Sequence, residues 1–237
     1  MRAFIRVACF TLVAVTSMAL GNDIYIVQVG DTMDLDIVQD GQDNVIGTSM
    51  QSVILGSVGN ASDTMTFDIT QTGNSNSIAA QILGSTYTGT WVFTGDNNTV
   101  DLLCSSVSAA NCSSVTLNIT ATGDSQDYTI KIGETADAAN ATINFTVTDD
   151  DNIITADIDG TSAVVTVTIN DNSSLEVTDS TLNIDVSGNG DINGHTLIFS
   201  ALGRGHAVNI DQSGIYDDTI NMSTSGDNHT IDIIQRD

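Results

Sequence analysis

Apolar and polar residues alternate along much of the chain, and the alternation is broken at a recurring short turn. Counting back from the turns in steps of two gives Ile26 and Ile24; Ile37 and Leu35; Ile69, Phe67 and Met65; Ile119 and Leu117; and Phe145 and Ile143. Counting forward gives Ile46; Ile78 and Ala80; Val100 and Leu102; Tyr128, Ile130 and Ile132; and Ile154, Ala156 and Ile158, with Asp, Thr, Asn and Ser mostly between them. A period of two puts one face of an extended strand in the core and the other in water, so each turn is predicted to join two half-buried strands.

The turn has its own pattern, a Gln or Thr two residues before a Gly and an Asn-type residue three after it. The clearest copies are Gln39, Gly41 and Asn44, and Gln71, Gly73 and Asn76. Gln28 with Gly30 opens the series; Gly95 with Asn98, Gly123 with Gln126, Asp149 with Asn152, and Gln212 with Gly214 and Asp217 extend it; Gly226 and a terminal Gln235 close it. Glycine accepts the positive φ that tight turns demand. The turn glycines fall 11 apart (30 to 41), 22 apart (73 to 95) or 28 apart (95 to 123). Such repetition predicts an all-β chain, a β-solenoid of stacked strand-turn-strand rungs with a period of about 22 residues. Inward Gln and Asn would then form ladders along the stack, each amide satisfied by its neighbours.

Composition agrees. Proline is absent from 237 residues, as expected where backbone N–H groups bond the next rung. Residues 1–21 read as a secretory signal peptide: Arg2 and Arg6 start it, Val7 to Val15 form an apolar run, and Ala19 to Gly21 give a small-residue cleavage site. Residues 22–237 form the repeat domain, and 216 residues (237 − 21) at about 22 each give nine or ten rungs. With two of five basic residues in the leader and no acids there, the mature chain carries 3 − 30 = −27. Nucleic acid and anionic lipid are poor partners for it, no later segment could cross a membrane as a helix, and no cofactor is expected beyond weak Ca2+ binding to the acidic surface. Cys104 and Cys112 bracket a small-residue insertion, and in an exported protein they are expected to form a disulfide.

The stretch Asp68 to Ala80, and next Asp36 to Asn44, resembles the curlin repeat of the bacterial curli fibre subunits, Gln-x-Gly-x-x-Asn between alternating apolar residues. By that resemblance Gln39, Asn44, Gln71 and Asn76 are inward ladder amides with Gly41 and Gly73 at the turn, while Gln28 and Gln212 match only the Gln half. The middle rungs depart from the family, with Thr, Ala or Val for Gln and Asp149 for Gly. The resemblance implies a secreted structural protein of the cell surface, an amyloid-like homopolymer that supports adhesion and biofilm matrix, with an outer-membrane secretion pore and a nucleator subunit as further partners.

Two other functions are weighed. A monomeric solenoid binding ice or a surface glycan through an outward Thr/Asp face is the alternative: Thr64-x-Thr66, Thr120-x-Thr122, Thr146-x-Thr148 and Thr166-x-Thr168 suit ice, but their spacings of 56, 26 and 20 do not repeat. Catalysis is not expected, because His195, His206 and His229 are scattered and no cluster joins them to Arg, Lys and carboxylates. His206 and His229 fall on inward frames and His195 in a turn.

Overall fold

The computed structural model describes residues 23–28, 32–41, 43–48, 52–56, 64–83, 85–104, 112–123, 125–133, 140–148, 151–170, 180–188, 194–214 and 218–236. Residues 1–21, read as a signal peptide, and the turn residues Gly30, Asp149 and Asp217 lie outside the described residues. Along the chain the strands are β1 (Asp23–Ile24), β2 (Val27–Gln28), β3 (Thr32–Asp40), β4 (Val45–Ile46), β5 (Val53–Leu55), β6 (Thr64–Thr72), β7 (Ser77–Ile82), β8 (Thr86–Thr94), β9 (Thr99–Cys104) and β10 (Ser114–Thr122). They continue with β11 (Asp127–Ile132), β12 (Asn140–Thr148), β13 (Ile153–Asp159), β14 (Ala163–Asn170), β15 (Thr181–Ser187), β16 (Thr196–Leu202), β17 (Ala207–Ser213), β18 (Thr219–Ser225) and β19 (Thr230–Arg236). No helix occurs among the described residues.

The strands form two parallel sheets. Sheet B stacks β3, β6, β8, β10, β12, β14, β16 and β18; sheet A stacks β4, β7, β9, β11, β13, β15, β17 and β19, with β1 beyond β4 and the pair β2 and β5 completing the first levels. Each rung is one sheet B strand, a corner, and one sheet A strand. Among the described residues the solenoid therefore has eight rungs and an extra first level in sheet A alone, where a uniform period predicts nine or ten for the whole domain. A spacing of 22 holds from β6 to β8 and from β12 to β14, where Thr64 pairs with Thr86 and Ala141 with Ala163. Lengthened connections raise it to 28 from β8 to β10 and to 32 from β14 to β16. Solvent-facing loops absorb insertions at little cost, so spacing along the chain drifts while spacing along the stack cannot.

The inward residues predicted by alternation line the core: Phe67, Ile78, Leu117, Tyr128, Ile143 and Ile154 are all buried. The third rung adds bulk. Trp91 packs edge-on against Phe67, ring centroids 5.8 Å apart, and Phe93, Tyr128 and Phe145 continue the aromatic line through later rungs. Trp91 donates its indole N–H to the Phe67 carbonyl at 3.0 Å, and the Tyr87 hydroxyl donates to the same oxygen at 3.4 Å. Gly89 leaves the room this needs, since a Cβ there would collide with the Tyr87 ring. Burial holds the Tyr87 hydroxyl pKa well above its ordinary value. Cys104 and Cys112 are joined by a disulfide, both fully buried.

Candidate functional site

A stack of rungs offers three surfaces to a partner: its ends, its corners and its two outer faces. The corner between sheet B and sheet A repeats with little change. Gly41, Gly73, Gly95, Gly123 and Gly226 all adopt positive φ there, and the residue two further on, Asp43, Ser75, Asn97, Ser125 and Asn228, is left-handed as well. At Gly95 the requirement is steric as well as conformational, because a Cβ would run into the Gly73 carbonyl of the preceding rung. Backbone bonds pass through the corners: the Gly73 N–H donates to the Thr94 carbonyl at 2.9 Å and the Thr99 N–H to the Asn76 carbonyl at 2.8 Å.

The Asn of each corner does two jobs. Within its rung, Asn76 Nδ2 donates to the Gly73 carbonyl at 2.7 Å, and Asn44 and Asn98 repeat the bond to Gly41 and Gly95. Between rungs, Asn76 Oδ1 accepts from the Asn44 N–H at 3.3 Å, and Asn98 Oδ1 from the Asn76 N–H at 3.1 Å. Gln126 stands in the same column, and its N–H donates to Asn152 Oδ1. The column continues through Ser180, whose hydroxyl accepts from the Asn152 N–H, to His206 and His229, which stack with rings 5.1 Å apart and nearly parallel.

Sequence reasoning placed both histidines inward without seeing their role. The signal was present, since Gly203 and His206 stand three apart between Phe199, Ala201 and Val208, Ile210. His195 lies at the other corner, fully buried, its Nδ1 accepting from the Ala163 N–H at 3.2 Å.

The glutamines divide into two groups. Gln39 and Gln71 face each other inside sheet B, where Gln71 Nε2 donates to Gln39 Oε1 at 2.7 Å. Gln28, Gln212 and Gln235 belong instead to sheet A, at register positions continuous with Leu55 and Val186. The glutamines of the motif thus fall in two columns at opposite corners. Gln212 and Gln235 donate to the carbonyls of His195 and Asp218, closing the second corner. Gly214, read as a turn glycine, is not in the positive-φ region.

The ends differ from the body. Among the described residues β18 pairs only with β16 and β19 only with β17, which leaves one edge of each without a described partner. Inside the last rung but one, Val208 and Ile210 are 1% and 2% exposed; their partners in β19, Ile231 and Ile233, are 39% and 42% exposed. At the other end β3 pairs only with β6, and Met33 and Ile37 are already buried while Leu35 is half-buried.

The outer faces differ as sharply. On sheet A, Asp157, Asp185 and Asp211 stand in register on successive levels beside a shallow depression of about 420 Å³. Partial burial first, then the neighbouring Asp157, Asp211 and Asp159 charges, raise the Asp185 pKa; Arg236, which contacts Asp211 at 2.8 Å, opposes them. Among the described residues no group of three or more His, Cys, Asp or Glu is placed to hold a metal ion. On sheet B, strands β8, β10, β12, β14, β16 and β18 contain no charged residue at all. Their outward columns run Thr120, Thr146, Thr168 and Thr94, Thr122, Thr148. The irregular sequence spacing of the Thr pairs had counted against an array, yet Thr120-x-Thr122 and Thr146-x-Thr148 lie in register on adjacent rungs. Compared with protein-family models, with curated proteins and with solved structures, the chain finds no match.

Proposed function

We propose that the chain is a secreted structural subunit that stacks on copies of itself, rung upon rung, into an extracellular curli-like fibre supporting adhesion and biofilm matrix. The observation that carries this reading is the bare last rung, with Ile231 and Ile233 uncovered beside two unpaired strand edges. Unpaired edges are templates for another chain, and a second copy would bury the isoleucines and continue the backbone ladder. Export through an outer-membrane pore and initiation by a nucleator subunit belong to the same reading.

Strand count sets how such a joint can close. Among the described residues sheet A has nine levels and sheet B eight, because β1 and β2 lie beyond β4 and β5 with no sheet B strand described at their level. Copies set end to end with β1 and β2 in place would close sheet A and leave sheet B one strand short. Both sheets meet only if these two short strands leave the edge. They are held there by four residue pairs, Asp23 and Ile24 on β4 and Val27 and Gln28 on β5. On this reading residues 23–28 act as a removable cover that slows joining.

The test uses mature protein, residues 22–237, at several salt concentrations that screen its −27 charge. Unbranched fibres with a meridional reflection near ~4.8 Å are expected, with growth favoured by salt. A chain beginning at Thr32 should show a shorter lag. Protein that stays monomeric at every salt, with or without preformed seeds, would falsify unaided end-to-end assembly.

A further inference from the structure

From β8 to β18 the outer face of sheet B is uncharged, in a chain whose formal charge is −25, and the acids of that sheet, Asp34, Asp36, Asp40 and Asp68, are confined to β3 and β6 at one end. We propose that this face is where two copies of the chain meet, sheet against sheet, so that the fibre is two solenoids wide. The inference deepens the fibre reading in that width, while the pairing itself needs no joined ends.

Three observations support a second copy as the occupant. The first is charge: sheet A presents Asp157, Asp185 and Asp211 outward, so two sheet A faces repel, whereas β8 to β18 of sheet B offer nothing that repels. The second is chemistry. Threonine carries a methyl and a hydroxyl that both donates and accepts, so a Thr array is complementary to itself, as a two-fold interface requires. Apolar Ile198 and Leu202 stand on the same face, 39% and 50% exposed, and would be covered by the pairing. The third is shape. Six parallel strands in register, β8 to β18, make a regular ridged surface, and uncharged, proline-free, β-prone segments are those whose sheets interdigitate at about 10 Å. The acidic faces then point outward on both sides and keep the assembly soluble.

The experiment is sedimentation of the mature protein, with Thr120→Asp and Thr120→Lys as face variants and Asn209→Asp, on sheet A, as the control for added charge. Thr120 is exposed, so the variants keep the fold, which circular dichroism checks. A closed dimer is expected for the wild type. Both Thr120 variants should raise its dissociation constant at least tenfold, Lys as well as Asp because either ion must lose its water in the interface, and Asn209→Asp should leave it unchanged.

Face pairing stops at two, whereas end-to-end joining gives masses that grow with concentration, so the two ideas fail separately. Wild type that is monomeric, that forms only single-width chains, or whose dimer ignores both Thr120 variants overturns the face proposal. A monomer that slows ice recrystallisation, and loses that activity in Thr120→Lys, overturns it in favour of ice as the occupant.

Discussion

The interior rungs and the terminal rungs fill the same inward positions with different chemistry. In sheet B one inward column reads Gln39, Gln71, Phe93, Ala121, Val147, Ile169, Ala201 and Thr224. In sheet A the column at the opposite corner reads Gln28, Leu55, Ile82, Cys104, Ile132, Ile158, Val186, Gln212 and Gln235. Amides sit at both ends of the sheet A column and at the first end of the sheet B column, which finishes on Thr224, and apolar groups fill the middle. Between two rungs of one chain the covalent corner already limits sliding, and apolar packing is free to supply stability. An amide adds selection instead, since a slipped register leaves it buried without a partner at roughly 1–3 kcal/mol. A one-residue slip also turns the core outward. Gln39 and Gln235, the amides left at the two joining ends once residues 23–28 have moved away, are therefore placed where register with another copy would have to be chosen by contact alone.

The sharpest way to break this comparison is to truncate the same column on neighbouring levels. Ile210 and Ile233 are register partners, one covered and one bare. Ile210→Ala should cost about 2–5 kcal/mol, as for buried isoleucines generally, while Ile233→Ala should cost the dilute monomer clearly less, about 1–2 kcal/mol, because 42% of its surface is already in water. Chemical denaturation of the two variants measures both. Equal losses would mean that the last rung is covered in solution, and the end would no longer be a bare one.

A smaller effect tests what the amides contribute. Gln71→Leu removes the N–H donor that Gln39 Oε1 accepts from inside the core and should cost about 1–3 kcal/mol, whereas the double change Gln39→Leu with Gln71→Leu should recover much of that loss, because neither amide of the pair is then left behind. If the double variant matches wild type in stability and still keeps one register by hydrogen exchange, the ladder is dispensable within a chain. Loss of stability that merely adds across the two changes would show that the bond itself stabilises the interior, against the selection argument.

Much of this architecture was legible in the sequence because alternation and corner letters report local geometry. Every inward residue read backward from Ile69 or forward from Asn76 is in the core, since a strand has only two faces. The two-column arrangement was not legible. Gln212-Ser-Gly214 and Gln39-Asp-Gly41 look alike because each ends an inward column near a corner, and only strand pairing tells which corner. His206 and His229 escaped for a related reason: the column asks for a buried planar polar group that fits the turn, and imidazole meets that demand without sharing a letter with Asn. The neutral face of sheet B was hidden by insertions, which scatter Thr120, Thr146 and Thr168 in sequence while the ladder holds them one above another.

The smallest predicted effect concerns charge on the sheet A face, where the end and the interior differ again. Asp211, one level from the end, is met by Arg236, but Asp185 stands one level further in, between Asp157 and Asp211. Its raised pKa means that the folded chain holds that proton more tightly than the unfolded chain does. The contribution to stability is therefore fully present below the ordinary aspartate value of about 3.9, is lost as pH rises through the raised value, and stays absent above it. Asp185→Asn should relieve the strain at neutral pH. Asp185 is largely solvent-facing, so screening limits the gain to roughly half a kcal/mol, or about 1–2 °C in melting temperature for a domain of this size. The gain should shrink in high salt and vanish below about pH 3, where the wild-type carboxyl is protonated in both states. Melting curves of both proteins at acid and neutral pH decide the matter: an equal shift at both would assign the effect to side-chain packing rather than to the column of like charges.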